Sequence, residues 1–572
     1  MKKTLLTLAC AAMIGGTANA QVCESYTGNH FHKVSDNGLW LVEDEGIIVT
    51  YNRETKKKTV IQGDVTELTV GMGNSVLNDG TVCIANGNKG PALLKDSVIT
   101  PLDPGRQLAP GETLSMSIAH GATNDGKRIV GLLNAPKSKD QGQYIMALPV
   151  MWEKDNNGEY KAHNLPYPEK DFTGRTPQFV TAIDIADDGK TIAGQIQDYS
   201  GLRATPIVWK EDAEGQWSYS LPGASLIYDA DAMTKLPAPP VAPQKPVVEE
   251  YMSQEDYAAY EKAMAKYKEL YALAQLGEIP WSDVPEYPQK SLYISDKVKA
   301  DAYADALMEY KKKNEQYWID FAAFNEMLQG ALTGNAYILN NVCLSRNGKY
   351  LVTSLQKSTS DPEDFGSQEV TTSPCRFYLA EENDSIELLS DLGNHLASCV
   401  ANNGLLIAVS PAVEYTRSAY VALPGKPVQT FVDYMAAEKQ DSVVKFLKDN
   451  YTYTFNVEVG VDSMGAPIYQ EVQDSTITGS MTINGEGNRM ISFIYDTMSN
   501  PEDPKWVSFY IDLTKNAGPS AIENVVNKEN AGEVLRREYY NLQGQRIAQP
   551  TKGIYLEKVI GTNGTHTYKR IK

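Results

Sequence analysis

A turn closed by Gly, with Asn or Asp before the Gly in six of the copies and an alternating apolar run behind it, recurs seven times between Val34 and Phe493. Together with a Pro-rich stretch leading into two heptad-spaced segments, and a basic tail punctuated by turns, this repetition predicts a mainly β fold. The predicted architecture is a seven-bladed β-propeller with an inserted α-helical hairpin and a small C-terminal β-sandwich-like module. The expected boundaries are a signal peptide over 1–20, the propeller over 21–515 with the helical hairpin inserted at 237–333, a linker over 516–532 and the C-terminal domain over 533–572.

The leader comes first. Lys2 and Lys3 form a positive n-region, Leu5 to Gly15 a short apolar core, and Ala18-Asn19-Ala20 a small-residue cleavage site, so cleavage is expected between Ala20 and Gln21. Lipidation at Cys10 is the alternative, but Thr7-Leu8-Ala9 makes a poor lipobox. No other stretch reaches the roughly 18 apolar residues that a membrane-spanning helix needs. Removing Met1 to Ala20 takes away two lysines and no acid, lowering the formal net charge from −19 to −21. Such a surface repels phosphate, so nucleic acid is excluded as a partner. Five cysteines remain after cleavage, Cys23, Cys83, Cys343, Cys375 and Cys399; an odd number leaves at least one outside any intrachain pair, and the spacing suits buried strand positions better than a disulfide framework.

The repeated element reads VSDNGLWLV at Val34, SVLNDGTVCIA at Ser75, GATNDGKRIVG at Gly121, DIADDGKTIAG at Asp184, CLSRNGKYLVTS at Cys343, CVANNGLLIAVS at Cys399 and TINGEGNRMISF at Thr482. Each copy is a strand, a tight turn closed by Gly and a second, half-buried strand. Two copies extend into VMWEKDNNGEYKAHNLP at Val150 and IVWKEDAEGQWSYSLP at Ile207, with aligned Trp, Asp, Gly and Leu-Pro, which makes the unit four-stranded. Turn glycines about 40 to 60 residues apart match a propeller blade, and closing a ring removes the sheet edges that would otherwise aggregate. A six- or eight-bladed ring, or two packed sandwiches, fits the same pattern. The phrase DIADDGKTIAG followed by PIVWK resembles the extracellular HAF-type repeats, SxDGxxVxG followed by an apolar strand ending in Trp. The third and fourth copies carry that resemblance; the first lacks the closing Gly, and the seventh has Glu486 where Asp or Asn is usual.

Between Gly189 and Gly348 the period breaks. Leu236 to Pro246 is stiff and Pro-rich, Ser253-Gln254-Glu255-Asp256 has the form of a capping box opening a helix to about Leu276, and a second helix is expected from about Asp296 to Gln329. Pro280, Pro285 and Pro288 keep the two apart. Tyr303, Tyr310, Tyr317 and Phe324 recur every seven residues in the second helix, and Tyr260 and Tyr267 with Met264 and Tyr271 make the stripe of the first. That spacing predicts two antiparallel helices packed through tyrosines, either as core or as an arm that grips a partner.

From Arg536 onward eight Lys or Arg face only Glu538 and Glu557, about +6 on a chain of −19. Two alternating apolar runs separated by Gly544, Pro550 and Gly553 read as a β module. NLQGQR, KGIYLEKV and the basic end resemble the C-terminal sorting domain of type IX secreted proteins over about 36 residues. The resemblance implies a sorting motif at Asn541, Leu542, Gly544, Gln545, Arg546, Lys552, Gly553 and Tyr555, engagement of a secretion machinery, and a secreted or outer-surface location. A C-terminal β module without a sorting role is the alternative. Asp-Ser or Asp-Thr before a small or aliphatic residue, as at Asp96-Ser97-Val98, Asp384-Ser385-Ile386 and Asp441-Ser442-Val443, resembles the periplasmic O-glycosylation site of bacteria that use such domains.

Catalytic signatures are absent from the sequence. No CxxC, HExxH, GxSxG or Walker loop occurs, and the nearest phosphate-loop likeness, Gly71-Met72-Gly73-Asn74-Ser75, lacks the Lys. His30 and His32 alternate on one strand face without a third ligand at metal spacing, His120 reads as part of a repeat turn, and His163, His395 and His566 are scattered. Asp79, Asp125, Asp155, Asp187, Asp188 and Asp212 all sit at turns, which accounts for them. No catalytic, cofactor or metal residue is assigned and no cofactor is expected. The expected function is a secreted or cell-surface propeller that binds an extracellular glycan or protein, or serves as a scaffold. The alternative is an extracellular propeller enzyme degrading polysaccharide or peptide, with carboxylates from several blades meeting at the channel mouth.

Overall fold

A computed structural model describes residues 22–515 apart from 45–46, 62–67, 110–111, 137–144, 172–173, 199–202, 228–229, 234, 332–334, 339–340, 361–367, 380–384, 410–417, 462–465 and 497–502, and beyond them 534–540, 546–547, 554–561 and 564–571. The protein is mainly β with few helices. The chain divides into two units, one made of Met1–Ile61, Asn78–Gly80 and Ser398–Lys572, the other of Gln62–Leu77 and Thr81–Ala397.

The repeat turns share one construction. Gly38, Gly80, Gly126, Gly189, Gly348, Gly404 and Gly487 all have φ between 66° and 85°, a region open to Gly and strained for a side chain. In six of them the Gly N–H donates to the carbonyl three residues back, at 2.8–3.0 Å. The Asp or Asn before the Gly accepts from the backbone N–H two residues on: Asn37 from Leu39, Asp125 from Lys127, Asp188 from Lys190, Asn347 from Lys349 and Asn403 from Leu405. In the seventh turn, where Glu486 replaces the usual Asp or Asn, Asn484 takes over and accepts from Asn488 and Arg489. Asp155 and Asp212 close the outer hairpins in the same way. These carboxylates are occupied in making turns.

In the first unit, Lys33–Val34, Trp40–Asp44, Ile48–Asn52 and Lys57–Val60 form one antiparallel meander. Cys23–Thr27 does not belong to it: this strand pairs with Lys505–Asp512, in register Cys23 to Ile511, and completes the sheet of Ser480–Ile483 and Arg489–Asp496. The guanidinium of Arg53 lies 3.4 Å over the Tyr510 ring and donates to Glu24 and to the Gly38 carbonyl, fastening strand, turn and sheet together. A second interruption of the period, which the sequence reading missed, follows Gln429–Thr430: helices α3 (Phe431–Ala437) and α4 (Asp441–Tyr451) and a two-stranded ribbon of Thr452–Val461 and Pro467–Thr476. Tyr451 at its root stacks on Phe509 and bonds Ser25. The tail forms one four-stranded antiparallel sheet among its described residues, so the expected sandwich-like module appears there as a single layer.

In the second unit, two meanders, Ile118–Ala122 to Tyr160–Asn164 and Phe179–Ile185 to Trp217–Ser220, are joined by a parallel bridge at Ala147 and Phe179; meanders of Leu68–Val70 to Val98–Pro101 and of Asn335–Ile338 to Ser385–Leu388 flank them in sequence. The aligned tryptophans are fully buried, and each ring N–H is donated to a loop carbonyl, Trp152 to Asp103 and Trp209 to Pro166. The closing glycines are required first by the backbone and then by these rings: a Cβ on Gly131 or Gly194 would collide with the neighbouring strand's carbonyl, of Ile118 or Thr181, and also press on the Trp ring. Asp184 sits at the convergence of these sheets. Its carboxylate accepts from Asn74 N–H (3.1 Å) and Nδ2 (2.7 Å), Ile185 N–H (3.0 Å) and Leu344 N–H (3.1 Å). Arg346 bonds the Ala122 carbonyl and pairs with Asp187, which also accepts from Asn124.

Gly71 and Gly73, the phosphate-loop likeness, instead bring the backbone against Ala119, His120 and Ile183, where no Cβ fits. His120 is a correction too: it is buried in a strand and accepts from Met72 N–H. Removing the Asp184 carboxylate leaves four donors without their acceptor, so Asp184→Ala should cost on the order of 3 kcal/mol or more by urea denaturation. Asp188→Ala, at an exposed turn, should cost about 1 kcal/mol or less; equal losses would contradict this assignment.

Candidate binding surface

The inserted segment in the second unit is built from its ends inward. Ser253 caps α1 (Gln254–Gln275) through the expected capping box with Asp256. Gly277, at φ 73°, ends the helix, and the chain turns back along it. Pro280, Pro285 and Pro288 keep this returning strap from forming more than two short 3-10 turns, Trp281–Asp283 and Lys290–Tyr293, and its rings meet those of the helix in reverse order. Trp281 lies edge-on to Tyr271 at 5.3 Å, Tyr287 to Tyr267 at 5.3 Å, and Tyr293 to Tyr260 at 5.7 Å. At the strap's end Ser295 N–H donates to Asp256, the capping residue. The heptad reading assigned the Tyr260–Tyr267 stripe to the second helix; the rings against it belong to the strap.

Helix α2 (Lys297–Ala331) is about 52 Å long at 1.5 Å per residue. Its final third is the root: Phe324 and Leu328 join the core of Ile227, Leu344, Leu355 and Phe377. Buried Arg175 lies over the Phe321 and Phe324 rings at 4.5 and 5.0 Å. Nearer its start Tyr303 meets Tyr251 at 5.4 Å, so the residues leading into α1 lean on α2 as well. The result is an arm, rooted in the sheets at one end and dressed in aromatic side chains. Of the 20 large hydrophobic side chains that stand exposed among the described residues, 13 lie between Val241 and Met327, which places the candidate contact surface on this arm. Trp281 is 57 % exposed, Tyr287 62 % and Trp318 56 %. Helical spacing does not reveal the strap residues; an aromatic beside or between prolines, as at Trp281 and Tyr287, is the signal the sequence carries.

In the first unit a second aromatic cluster gathers His30 and His32, expected as a surface strand pair. They are half-buried in a loop: the His30 ring stacks on Trp506 at 4.1 Å and meets Phe493 at 4.1 Å, while the His30 backbone N–H donates to Glu43. His32 Nε2 is 3.2 Å from Asp44, yet burial holds its pKa down to about 4, the Asp44 charge opposing that shift. Between pH 6.5 and about 4 the unfolded chain therefore takes up a proton that folded His32 refuses, and acidification over that window removes stability, by roughly 2–3 kcal/mol. His32→Gln should flatten the pH dependence of urea denaturation between pH 7 and 4.5; an unchanged slope would contradict the burial argument.

Among the described residues no group of three His, Cys, Asp or Glu is placed to hold a metal ion. Cys23, Cys83, Cys375 and Cys399 are buried and Cys343 partly so, and no disulfide joins any two of these five; burial pushes Cys23 and Cys83 up to about 12. Ser97 forms an exposed hairpin tip with Asp96, and Ser442 lies exposed in the first turn of α4. Of the sorting motif, Arg546 pairs with Tyr540 and Tyr555 with Arg570. Asn541, Leu542, Gly544, Gln545, Lys552 and Gly553 lie outside the described residues, as do Ala20 and Gln21.

No family model and no curated protein matches the chain. Among solved structures it is similar to hydrazine synthase from Kuenenia stuttgartiensis (10 % identity, TM-score 0.36, covering 84 % of this chain and 95 % of that one). It is also similar to polysaccharide lyase Uly1 (9 %, 0.36, 86 % and 88 %) and to prolyl oligopeptidase B from Galerina marginata (8 %, 0.37, 98 % and 58 %). The chain thus spans little more than half of the peptidase. At these values the likenesses carry no weight in assigning a function.

Proposed function

We propose that this chain is an exported binding protein: a closed seven-bladed ring that presents the aromatic arm to an extracellular protein or glycan. The observation that carries the reading is the concentration of exposed rings on an arm rooted in a stiff sheet core. A rigid root keeps the rings in place, so little order has to be gained on binding. The ring itself is supported by seven like turns, by four-stranded meanders and by the seating of Cys23–Thr27 in the sheet of the last repeat. Pairing the first strand with the last sheet is how a ring closes without a free edge. Kinship with HAF-type repeats is supported by the matched roles of Gly131 with Trp152 and of Gly194 with Trp209. Export is supported by the leader pattern, and sorting to the outer surface by the tail motif and its charge.

Two experiments test this. Trp281→Ala with Trp318→Ala, both exposed, should leave the melting temperature within about 2 °C of wild type, while lowering retention of the protein on the surface of host cells stripped of it and incubated with the purified variant. Retention equal to wild type would remove the arm from the function. Truncation after Ala531 should leave the unfolding transition of the body in place and shift the protein from the cell surface to the periplasm by fractionation; normal surface display of the truncated chain would contradict the sorting role.

A further inference from the structure

The arm already shows what its aromatic ladder does with a cation. Lys290, on the strap, places its ammonium 5.4 Å from the Tyr257 ring centre and 5.2 Å from that of Tyr260, with Glu249 as its counter-ion. Two rings and a carboxylate hold one positive group. Further along the ladder, rings and carboxylates again lie close together in sequence. Trp281, Tyr271, Tyr267 and Tyr287 form a continuous run, each ring centre 5.3–5.6 Å from the next. Trp281, Tyr271 and Tyr287 are exposed, and Glu278, Asp283 and Glu286 stand exposed on the strap beside them. From Glu249 to Gly330 the segment carries 16 Asp or Glu against 9 Lys, a net charge of −7.

We infer that this outer part of the ladder docks a Lys- or Arg-rich peptide segment of a partner protein, an inference that rests on the arm being the contact element. A cation over a Trp or Tyr face is attracted by the negative face of the ring, more strongly when partly desolvated, and Trp is the best platform. The neighbouring carboxylates add attraction that salt screens. Anionic polymers are repelled by the same charge. A neutral glycan would use the ring faces but gain nothing from the carboxylates.

The test uses the full mature chain and three fluorescent probes: an alternating Arg-Gly dodecapeptide, an alternating Ser-Gly dodecapeptide and a neutral cello-oligosaccharide, followed by anisotropy. The Arg-Gly peptide should bind, weaken as salt rises, and lose about tenfold or more in affinity with Trp281→Ala plus Tyr287→Ala. Glu278→Lys with Glu286→Lys, which leaves every ring in place, should abolish binding. Glu54→Gln with Glu214→Gln, two exposed carboxylates outside the arm, should change nothing. Arg-Gly binding that is absent, or unaffected by the ring variants, overturns the inference. If the oligosaccharide binds instead and the ring variants abolish that, the peptide class fails while the arm survives as the contact element. If none of the probes responds to arm variants and cell-surface retention is also unaffected by them, both readings fail.

Discussion

The second unit depends on one buried carboxylate. Asp184 accepts from backbone or side-chain groups of Asn74, Ile185 and Leu344, so a single side chain ties together the chain leading into three different meanders, and Arg346 extends the network to Ala122 and Asp187. Only a carboxylate has enough acceptor sites to take four such donors. Burial pushes its pKa above the usual carboxylate value, and the Arg346 charge and the N–H donors oppose that shift. Because the sheets meet backbone to backbone at Gly71, Gly73 and Gly121, there is no room for a larger bridging group. This dense junction makes a stiff base, and α2 is rooted in the core next to it through Phe324 and Leu328.

The repeats were the most legible part of the chain because turn chemistry is local. A Gly at positive φ and an Asx two residues before its donor leave the same mark wherever they occur, so seven turns are legible with Asp125 and Asp188 as turn-makers, whereas Asp187, expected as another, instead bonds Asn124 and Arg346. The glycines closing the third and fourth copies were visible as a pattern, but their cause, a clash with the neighbouring strand and the Trp ring, depends on packing. Asp184 was hidden for the same reason: in DIADDGKTIAG it is one acid among three, and nothing local separates the one that gathers four donors from those that close a turn.

The inserted arm was half legible. Helical spacing located α1 and α2 and the capping box closely, since those signals reside within a few residues. Spacing cannot name a partner, however, and the tyrosine stripe of α1 was assigned to the wrong neighbour. Pro280, Pro285 and Pro288, legible as helix breakers, also shape a strap of short 3-10 turns and connecting chain that lies along the helix and offers its own rings. The helices α3 and α4 and the ribbon after them went unseen, although the distance from Gly404 to Gly487 already exceeds the spacing of the other uninterrupted turns.

The arm as the contact element is the claim that joins these observations, and hydroxyl-radical footprinting of the intact protein on its host cell surface, compared with the purified protein, tests it most directly. Oxidation of Trp281 and Tyr287 should fall on the cell while that of the half-buried Trp217, on the sheets, stays the same. Equal oxidation of all three in both states would contradict the account.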